Sequence, residues 1–410
     1  MENIVDRKSY RTVVISDVHL GTRYSKVSQV SDFLASVDCE SLILNGDTID
    51  GWQLQKNNYQ YWGPEQARFF RIIMKMVEKH GTQVYFLRGN HDDFLDRIIP
   101  MQMGPLSIQK DMVIESAVKK YAVEHNIPVL QPLSLKDPEF LEALKAWKAD
   151  MFVVVAFRML PKGVWEMPRL GTFNLHAALL PQYRGAAPIN WAVINGDKAT
   201  GVTTFMIDEG MDTGGIMFRE QCLIGPDENV GQVHDKLMEI GSGLVVQTVD
   251  AILDNNVETR VQKSFVQGSE ILRPAPKLSR ELMHIDWNVK TKYAYNLIRG
   301  LSPYPAAFTE LTKDDKVLQM KIYAAAKVLG DEYKAMLEQN GLETAAPGTV
   351  LSDGRTYLAI STADGAISVT ELQLAGKKRM SVKDFLIGFR EPQTYGTTQG
   401  TSSKITGHHA

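Results

Sequence analysis

The chain of 410 residues is long enough for two or three domains, and its 44% hydrophobic residues, 23% charged residues and net charge of −3 are typical of a globular protein. No run approaches the ~18 apolar residues of a transmembrane helix, and the N-terminus lacks a signal-peptide pattern. The two cysteines, Cys39 and Cys222, indicate neither a disulfide framework nor a metal site, so we expect a cytoplasmic protein without a membrane span.

The first quarter of the chain alternates between two kinds of segment. Three segments begin with apolar and β-branched residues and end in Gly, Asn, Asp or His: RTVVISDVHL, SLILNGDTID and TQVYFLRGNHDD. Between them, VSDFLASV and PEQARFFRIIMKMVEKHG repeat apolar residues at three- and four-residue spacing, which predicts helices. Strands that alternate with helices predict a parallel sheet whose reactive residues lie at the carboxyl ends of the strands.

Metal-binding residue types follow each of these three strands. Two divalent metal ions that act together on a phosphate require carboxylates, imidazoles and a bridging ligand. In this interpretation Asp17 and His19 hold the first metal, Asp47 bridges and Asn90 holds the second, while His91 faces the phosphate. Each residue taken singly is more often a turn or cap residue, and only the ordered set at strand ends favours a metal site.

The strings DVHLG, GDTIDGW and RGNHDDFLD resemble the calcineurin-like metallophosphoesterases, in particular the UDP-2,3-diacylglucosamine pyrophosphatases. The resemblance covers residues 10–115 and implies Mn²⁺ or Mg²⁺. That family also requires another ligand His and a closing Gly-His-x-His element, and this chain has neither. We therefore expect an incomplete site that does not bind two metals tightly and does not hydrolyse esters.

The alternation of helices and strands starts again after residue 116. SAVKKYAVEHNIPVLQP predicts a helix and a short strand, and PEFLEALKAWKADMFVVVAF predicts a helix followed by a strand. TFNLHAALLP and TGVTTFMIDEG predict two further strands with polar ends, and VGQVHDKLMEIGSGLVVQTVDAILDN predicts a long amphipathic helix. These elements indicate a second α/β domain.

The remainder of the chain changes character at residue 262. Residues 262–279 lose the periodicity and contain two prolines, which indicates a linker. Short strand-like runs broken by Gly and Asp then predict a small OB-like β-barrel, and residues 396–410 predict a disordered tail. Residues 151–270 carry 9 basic and 14 acidic side chains, against 17 and 14 in residues 271–400. A basic C-terminal module suits a polyanionic partner, although random scatter explains a difference this small equally well.

Three side chains in the second α/β domain suit acyl transfer to an amine. Asn174 and His176 lie on a predicted strand, and Asp212 follows the next strand within Met-Asp-Thr-Gly. An amide can stabilise a developing oxyanion and an imidazole can move protons, while a carboxylate orients the imidazole or takes the amine proton. Considered alone, His176 and Asp212 are each more often structural residues.

Four blocks around these residues resemble the methionyl-tRNA formyltransferase family: NLHAALLPQYRGAAPI, GDKATGVTTFMIDEGMDTG, NLIRGLSPYPAAF and GKKRMSVKDFLIGFR. The resemblance implies that Asn174, His176 and Asp212 are catalytic. It also implies 10-formyltetrahydrofolate as the donor and the α-amino group of methionyl initiator tRNA as the acceptor. Ala178 stands where the family often has Ser. The folate pocket would be bordered by Leu180, Pro181, Arg184 and Gly185.

The basic C-terminal residues resemble the part of this family that holds tRNA. A solvated basic surface is the alternative explanation of the same residues. The resemblance implies contacts to tRNA from Arg299, Lys377, Lys378 and Arg379, with Lys383 and Arg390 in the same cluster as the three adjacent residues 377–379.

The resemblance begins only near residue 117, so the formyltransferase domain would lack its first β-α units. The predicted parts are a truncated metallophosphoesterase (1–116), an incomplete Rossmann-like catalytic domain (117–261), the linker (262–279), the β-barrel (280–395) and the tail (396–410). Three hypotheses follow: a formyltransferase of translation initiation, a metal-dependent phosphoesterase, and an inactive chimeric tRNA-binding remnant or fused reading frame. No pattern fixes the oligomeric state, and we expect a monomer.

Overall fold

The computed structural model describes most of the chain. No helix in that part combines the length and the apolarity needed to cross a bilayer. The chain forms two compact units, residues 1–129 and residues 130–410. The described residues are 8–16, 18–20, 22, 25–45, 48–50, 63–87, 101–103, 105–109, 117–155, 159–266, 268–314, 316–375, 377–389 and 391–400.

The first unit contains a five-stranded sheet in the order β1-β2-β3-β5-β4. The pairs β1–β2, β2–β3 and β3–β5 are parallel, whereas the edge strand β4 runs antiparallel to β5. The parallel sheet predicted for this part of the chain is therefore confirmed. Its strands are β1 (Lys8–Ile15), β2 (Val37–Asn45), β3 (Gln83–Leu87), β4 (Met101–Met103) and β5 (Leu106–Gln109), and its helices are α1 (Val27–Ala35), α2 (Pro64–His80) and α3 (Ala117–Glu124).

Helix α2 shows how the sequence sets its bounds. It begins with Pro64, whose missing N–H would have no helical partner there, and it ends at His80, where the next residue, Gly81, adopts a left-handed φ of 67°. Phe69, Ile73 and Met76 recur at helical spacing and are buried in the core of the unit. The strand predicted just after α3 is wrong, because residues 127–132 are irregular and two of them are prolines, which cannot donate to a ladder.

The first part of the second unit contains a four-stranded sheet in the order β6-β7-β8-β9. Strands β6 and β7 are parallel, whereas β7, β8 and β9 are antiparallel to their neighbours, so the Rossmann-like sheet is mixed here. The strands are β6 (Phe152–Val155), β7 (Thr172–His176), β8 (Ala199–Met206) and β9 (Ile216–Leu223), and the helices are α4 (Pro138–Ala146), α5 (Lys162–Trp165), α6 (Pro188–Ile194) and α7 (Val230–Leu253).

The C-terminal part of this unit forms a nearly closed antiparallel β-barrel, as the sequence predicts. Its strands lie in the order β12-β13-β14-β11-β10-β16, with β15 beside β14. They are β10 (Ala307–Lys313), β11 (Lys316–Val328), β12 (Val350–Ser352), β13 (Leu358–Ser361), β14 (Ala366–Leu374), β15 (Met380–Ser381) and β16 (Gly396–Thr397), with α8 (Arg280–Met283), α9 (Thr291–Leu301), α10 (Gly330–Gln339), α11 (Val382–Gly388) and 3-10 helices at Gln262–Phe265 and Pro392–Thr394.

The predicted disordered tail begins too early. Strand β16 pairs with β10 although it lies within residues 396–410. Gln399 accepts a hydrogen bond from the backbone N–H of Trp287, and Thr398 lies 2.9 Å from the His284 ring nitrogen Nε2. The two hydrogen bonds join residues 398 and 399 to residues more than a hundred positions earlier in the chain. Such distant partners cannot be inferred from local composition. Residues 401–410 lie outside the described part.

Candidate active site

Two of the three predicted catalytic side chains lie on one face of β7. Side chains two residues apart on a strand point to the same face, so Asn174 and His176 share one. In the antiparallel ladder, Asn174 pairs with Phe205 and His176 pairs with Thr203 on β8. Directly opposed residues also share a face. All four side chains therefore lie on the same side of the sheet, and all are buried.

The hydrogen bond of His176 defines which ring nitrogen carries the proton. Nε2 lies 2.8 Å from the backbone carbonyl oxygen of Tyr183. Because a carbonyl oxygen can only accept, Nε2 must carry hydrogen and donate it. The neutral ring then has its lone pair on Nδ1, which lies 3.8 Å from Oδ2 of Asp212. This separation is too long for a hydrogen bond, so Nδ1 stays able to accept a proton beside a carboxylate.

Asp212 is held on both its side chain and its backbone. The backbone N–H of Gly185 donates to Oδ2 at 2.8 Å, while Gln262 donates to the backbone oxygens of Asp212 at 2.8 Å and Gly214 at 3.0 Å. Asp212 itself has a left-handed φ of 54°. Gly214 is required by close packing, because a Cβ there would overlap the backbone oxygen of Met206. The loop between β8 and β9 is thereby fixed.

Burial sets the ionisation of the imidazole. The side chains of His176 and Asp212 are only 7% and 11% exposed. Burial lowers the pKa of His176 below its ordinary value, while the Asp212 charge and the bond to Tyr183 oppose that decrease. Because burial is the largest of these effects, the ring is neutral at pH 7 and can act as a base.

The loop over residues 177–187 carries the residues predicted to border the folate pocket. Leu180 is fully buried and packs against Phe205 and Ile216, so its side chain belongs to the core under the loop. Pro181 is also buried. The guanidinium of Arg184 donates to the side-chain oxygen of Gln262.

Tyr183, whose carbonyl accepts from His176, is anchored by its own side chain. Its hydroxyl donates to Asp197 at 2.6 Å, and Arg273 binds the same carboxylate at 2.9 Å. Burial raises the pKa of Tyr183 to about 12, so the phenol keeps its proton. A cavity of about 520 Å³ lies beside this network, lined among others by Leu179 and Arg219.

Gly185 gives the first testable prediction. Its φ of 124° is a conformation that side chains rarely adopt, and a Cβ would lie 2.5 Å from the backbone oxygen of Ala275. Gly185→Ala is expected to lower the free energy of unfolding by about 1–3 kcal/mol through backbone strain, and to reduce turnover because its N–H holds Asp212. Chemical denaturation and initial-rate kinetics measure the two effects.

The matched control is Gly243→Ala within α7. A Cβ there meets nothing within 4 Å and the backbone is helical. This change is expected to raise stability by up to about 1 kcal/mol, because alanine has the higher helix propensity. If both substitutions changed stability equally, the strain assigned to Gly185 would be refuted.

The residues predicted to contact tRNA occupy different environments. Lys377 and Lys378 are exposed. Arg379 is exposed too, but it makes two hydrogen bonds to Glu371 and stacks on Tyr323. Arg299, by contrast, is in the interior, and Arg390 lies outside the described residues.

Arg299 is only 7% exposed, and its guanidinium donates to the backbone oxygens of Gly225 and Glu228 and to the side chain of Asn296. Burial lowers its pKa. These contacts connect α9 to the segment before α7, which is a structural role. The resemblance to a family motif implied a tRNA contact for this residue, but its interior position does not allow its guanidinium to reach a surface partner.

The predicted metal site is described at one residue only. His19 Nδ1 lies 3.5 Å from Oδ2 of Asp50. The described residues contain no group of three or more side chains that could hold a metal ion. The other predicted members lie outside the described residues: Asp17, Asp47, Asn90 and His91.

Sequence reasoning missed two groups at this site. One is the backbone carbonyl of Tyr183, and the other is the side chain of Gln262, which comes from the segment interpreted as a linker. A backbone atom leaves no trace in residue type. Gln262 is likewise a single glutamine at the start of a segment without periodicity, so its residue type gives no signal of a role. Only the three-dimensional contact identifies either group.

Comparison with known proteins identifies the family to which the chain is similar. The sequence model of the formyl transferase family matches residues 64–249, and the sequence model of the formyl transferase C-terminal domain matches residues 277–390. The first match begins well before residue 117, where the sequence analysis placed the start of the formyltransferase part. It thus overlaps the segment assigned to a metallophosphoesterase.

Three curated relatives, all methionyl-tRNA formyltransferases, are about half identical to this chain. The Bacteroides fragilis protein is 49% identical over 281 residues, which are 68% of this chain and 83% of the relative. The Bacteroides thetaiotaomicron protein is 51% identical over 68% of this chain and 84% of the relative. The Flavobacterium johnsoniae protein is 48% identical over 67% and 82%. The chain therefore belongs to the formyl transferase family.

Proposed function

We propose that the protein transfers a formyl group from 10-formyltetrahydrofolate to the α-amino group of methionyl initiator tRNA. The observation that carries this function is the match to both formyl transferase domains, together with relatives of that activity at about 50% identity. The pairing of His176 with Asp212 supplies a chemical rationale for the activity.

The side chains suggest how the amine is activated. Nδ1 of His176 has the free lone pair and takes a proton from the attacking amine, and Asp212 stabilises the imidazolium that results. Asn174, on the same face of β7, offers an amide N–H to the formyl oxygen as its negative charge develops. The folate co-substrate, when bound, would supply the activated formyl carbon; the bond between that carbon and the folate nitrogen breaks, and tetrahydrofolate leaves with the proton that His176 had taken from the amine.

A direct assay tests the proposal. The purified full chain is incubated with 10-formyltetrahydrofolate and methionyl initiator tRNA, and formylmethionine is measured after mild hydrolysis of the ester. Formylmethionine that accumulates in proportion to enzyme concentration supports the function. Binding of tRNA that weakens with salt, without any formylation, would instead favour the inactive tRNA-binding alternative.

A second prediction concerns the acceptor. We expect Lys377 and Lys378 to contact tRNA phosphates, since both are exposed in the basic part of the barrel domain. The double alanine variant is expected to raise KM for tRNA about tenfold and to leave kcat nearly unchanged. The slope of log affinity against log salt concentration should become shallower by about one to two, which corresponds to the loss of one to two phosphate contacts. Lys334→Ala, an exposed lysine on α10 that pairs with Asp331, is the control. Equal effects in both variants would contradict the assigned surface.

Metal-dependent phosphoesterase activity is the alternative hypothesis from the sequence, based on Asp17, His19, Asp47 and Asn90. Manganese-dependent cleavage of a model phosphate ester by the full chain, lost in Asp47→Ala, would support it. Failure to cleave under these conditions would exclude it.

A further inference from the structure

We propose that Gln262 is a positioning residue for catalysis, which holds Asp212 in the orientation that His176 requires. The inference rests on the proposed formyl transfer, and it assigns a role in that reaction to the segment which the sequence analysis treated as a simple linker. Gln262 does not touch the His176 ring in any described contact. It acts through the backbone of Asp212.

All the hydrogen-bonding groups of this amide are used inside the protein. Gln262 is 4% exposed. Its Nε2 donates to the backbone oxygens of Asp212 and Gly214, and its Oε1 accepts from Nε and Nη2 of Arg184 at 3.0 and 2.6 Å. Since a guanidinium only donates and a carbonyl only accepts, these partners permit one orientation of the amide. The side chain thus bridges three segments that are far apart in sequence.

The position of these bonds explains why Asp212 depends on them. A residue other than glycine at a φ of 54° is strained, and such a conformation persists only where surrounding contacts impose it. Gln262 holds the backbone of Asp212, and the Gly185 N–H holds its carboxylate. With the backbone bonds removed, the peptide can relax, and the carboxylate then moves away from Nδ1 of His176.

Gln262→Glu separates this role from simple packing. The carboxylate keeps the volume of the side chain and still accepts from Arg184, now as an ion pair, but it cannot donate to the oxygens of Asp212 and Gly214. It would instead place a negatively charged oxygen against two carbonyl oxygens. We expect kcat to fall about 30- to 300-fold with little change in KM for folate, while thermal unfolding shows that the chain still folds.

The pH profile supplies a readout that a purely structural role would not change. Asp212 raises the pKa of His176 against the effect of burial, so displacement of Asp212 lowers that pKa further. The acidic limb of kcat/KM is therefore expected to move to lower pH in Gln262→Met, which removes the donor without adding a charge near His176. In the Asp212→Asn background, adding Gln262→Glu should have little further effect on kcat, because the two residues act through one group.

Gln182→Ala is the matched comparison. Gln182 also connects a loop to the 262–279 segment, through the side chain of Glu270 and the backbone of Ile271, but no described contact joins it to Asp212. A loss of kcat in Gln182→Ala as large as in Gln262→Glu, or full activity in Gln262→Glu, would overturn the inference. If the unmodified protein formylates nothing, the proposed function fails instead, so the two failures are distinguishable.

Discussion

Replacing His176 by alanine is expected to reduce kcat for formyl transfer by about 10²- to 10⁴-fold, the usual contribution of a general base. The reason is that its Nδ1 holds the lone pair which faces Asp212, while Nε2 donates to the Tyr183 carbonyl. KM for tRNA should change little, because the ring is buried. Single-turnover measurement of formylmethionine with saturating folate checks the result.

His234→Ala is the control for this substitution. His234 lies on α7 with a side chain that is 58% exposed, and its ring contacts the neighbouring Asp235. This variant should retain the activity of the unmodified protein. Turnover unaffected by His176→Ala would refute the assignment of the base, even if the protein proves to be a formyltransferase.

Asp212→Asn is expected to lower kcat by about 10²- to 10³-fold, because the imidazolium that forms during proton transfer loses its neighbouring charge. The amide also accepts more weakly from the N–H of Gly185 than the carboxylate does. Measurement of kcat and KM for both substrates identifies the affected step. An unchanged kcat would contradict a role for Asp212 in the reaction.

The same variant predicts a direction for the pH dependence. Burial lowers the pKa of His176 and the charge on Asp212 partly restores it. In the unmodified protein, activity should therefore persist below pH 6.5, the ordinary pKa of histidine, and fall only when the ring becomes protonated. Removal of the Asp212 charge lowers that pKa further, so the acidic limb of the residual activity shifts to lower pH. A shift to higher pH would contradict this coupling.

The sequence predicted the parts of the site that depend on local pattern. The apolar run that ends in Asn174 and His176 indicated a strand with polar residues at its end, and the glycines around Asp212 indicated a turn just past a strand. Strand β9 was not predicted, since charged residues such as Arg219 interrupt its apolar pattern. The antiparallel pairing of β8 with both neighbours depends on contacts across the sheet and was not visible either.

Other features could not be read from residue type. Arg299 was grouped with basic residues of a binding surface, yet its burial results from the packing of α9 against the segment before α7. The early tail prediction failed for a similar reason, because Gly396 and Thr397 look flexible until β10 provides a pairing edge. In both cases the decisive partner lies about 70 or more residues away along the chain.

The carbonyl of Tyr183 has a consequence for mutational work on this site. The proton on Nε2 of His176 is fixed by a main-chain atom, which every residue type at position 183 would still supply. Substitutions of the Tyr183 side chain therefore test the hydrogen bond to Asp197 and the stability of the protein. They leave the tautomer of His176 unchanged. Ester substitution of a backbone amide weakens its carbonyl as an acceptor, so replacing the peptide link between residues 183 and 184 would probe the tautomer directly.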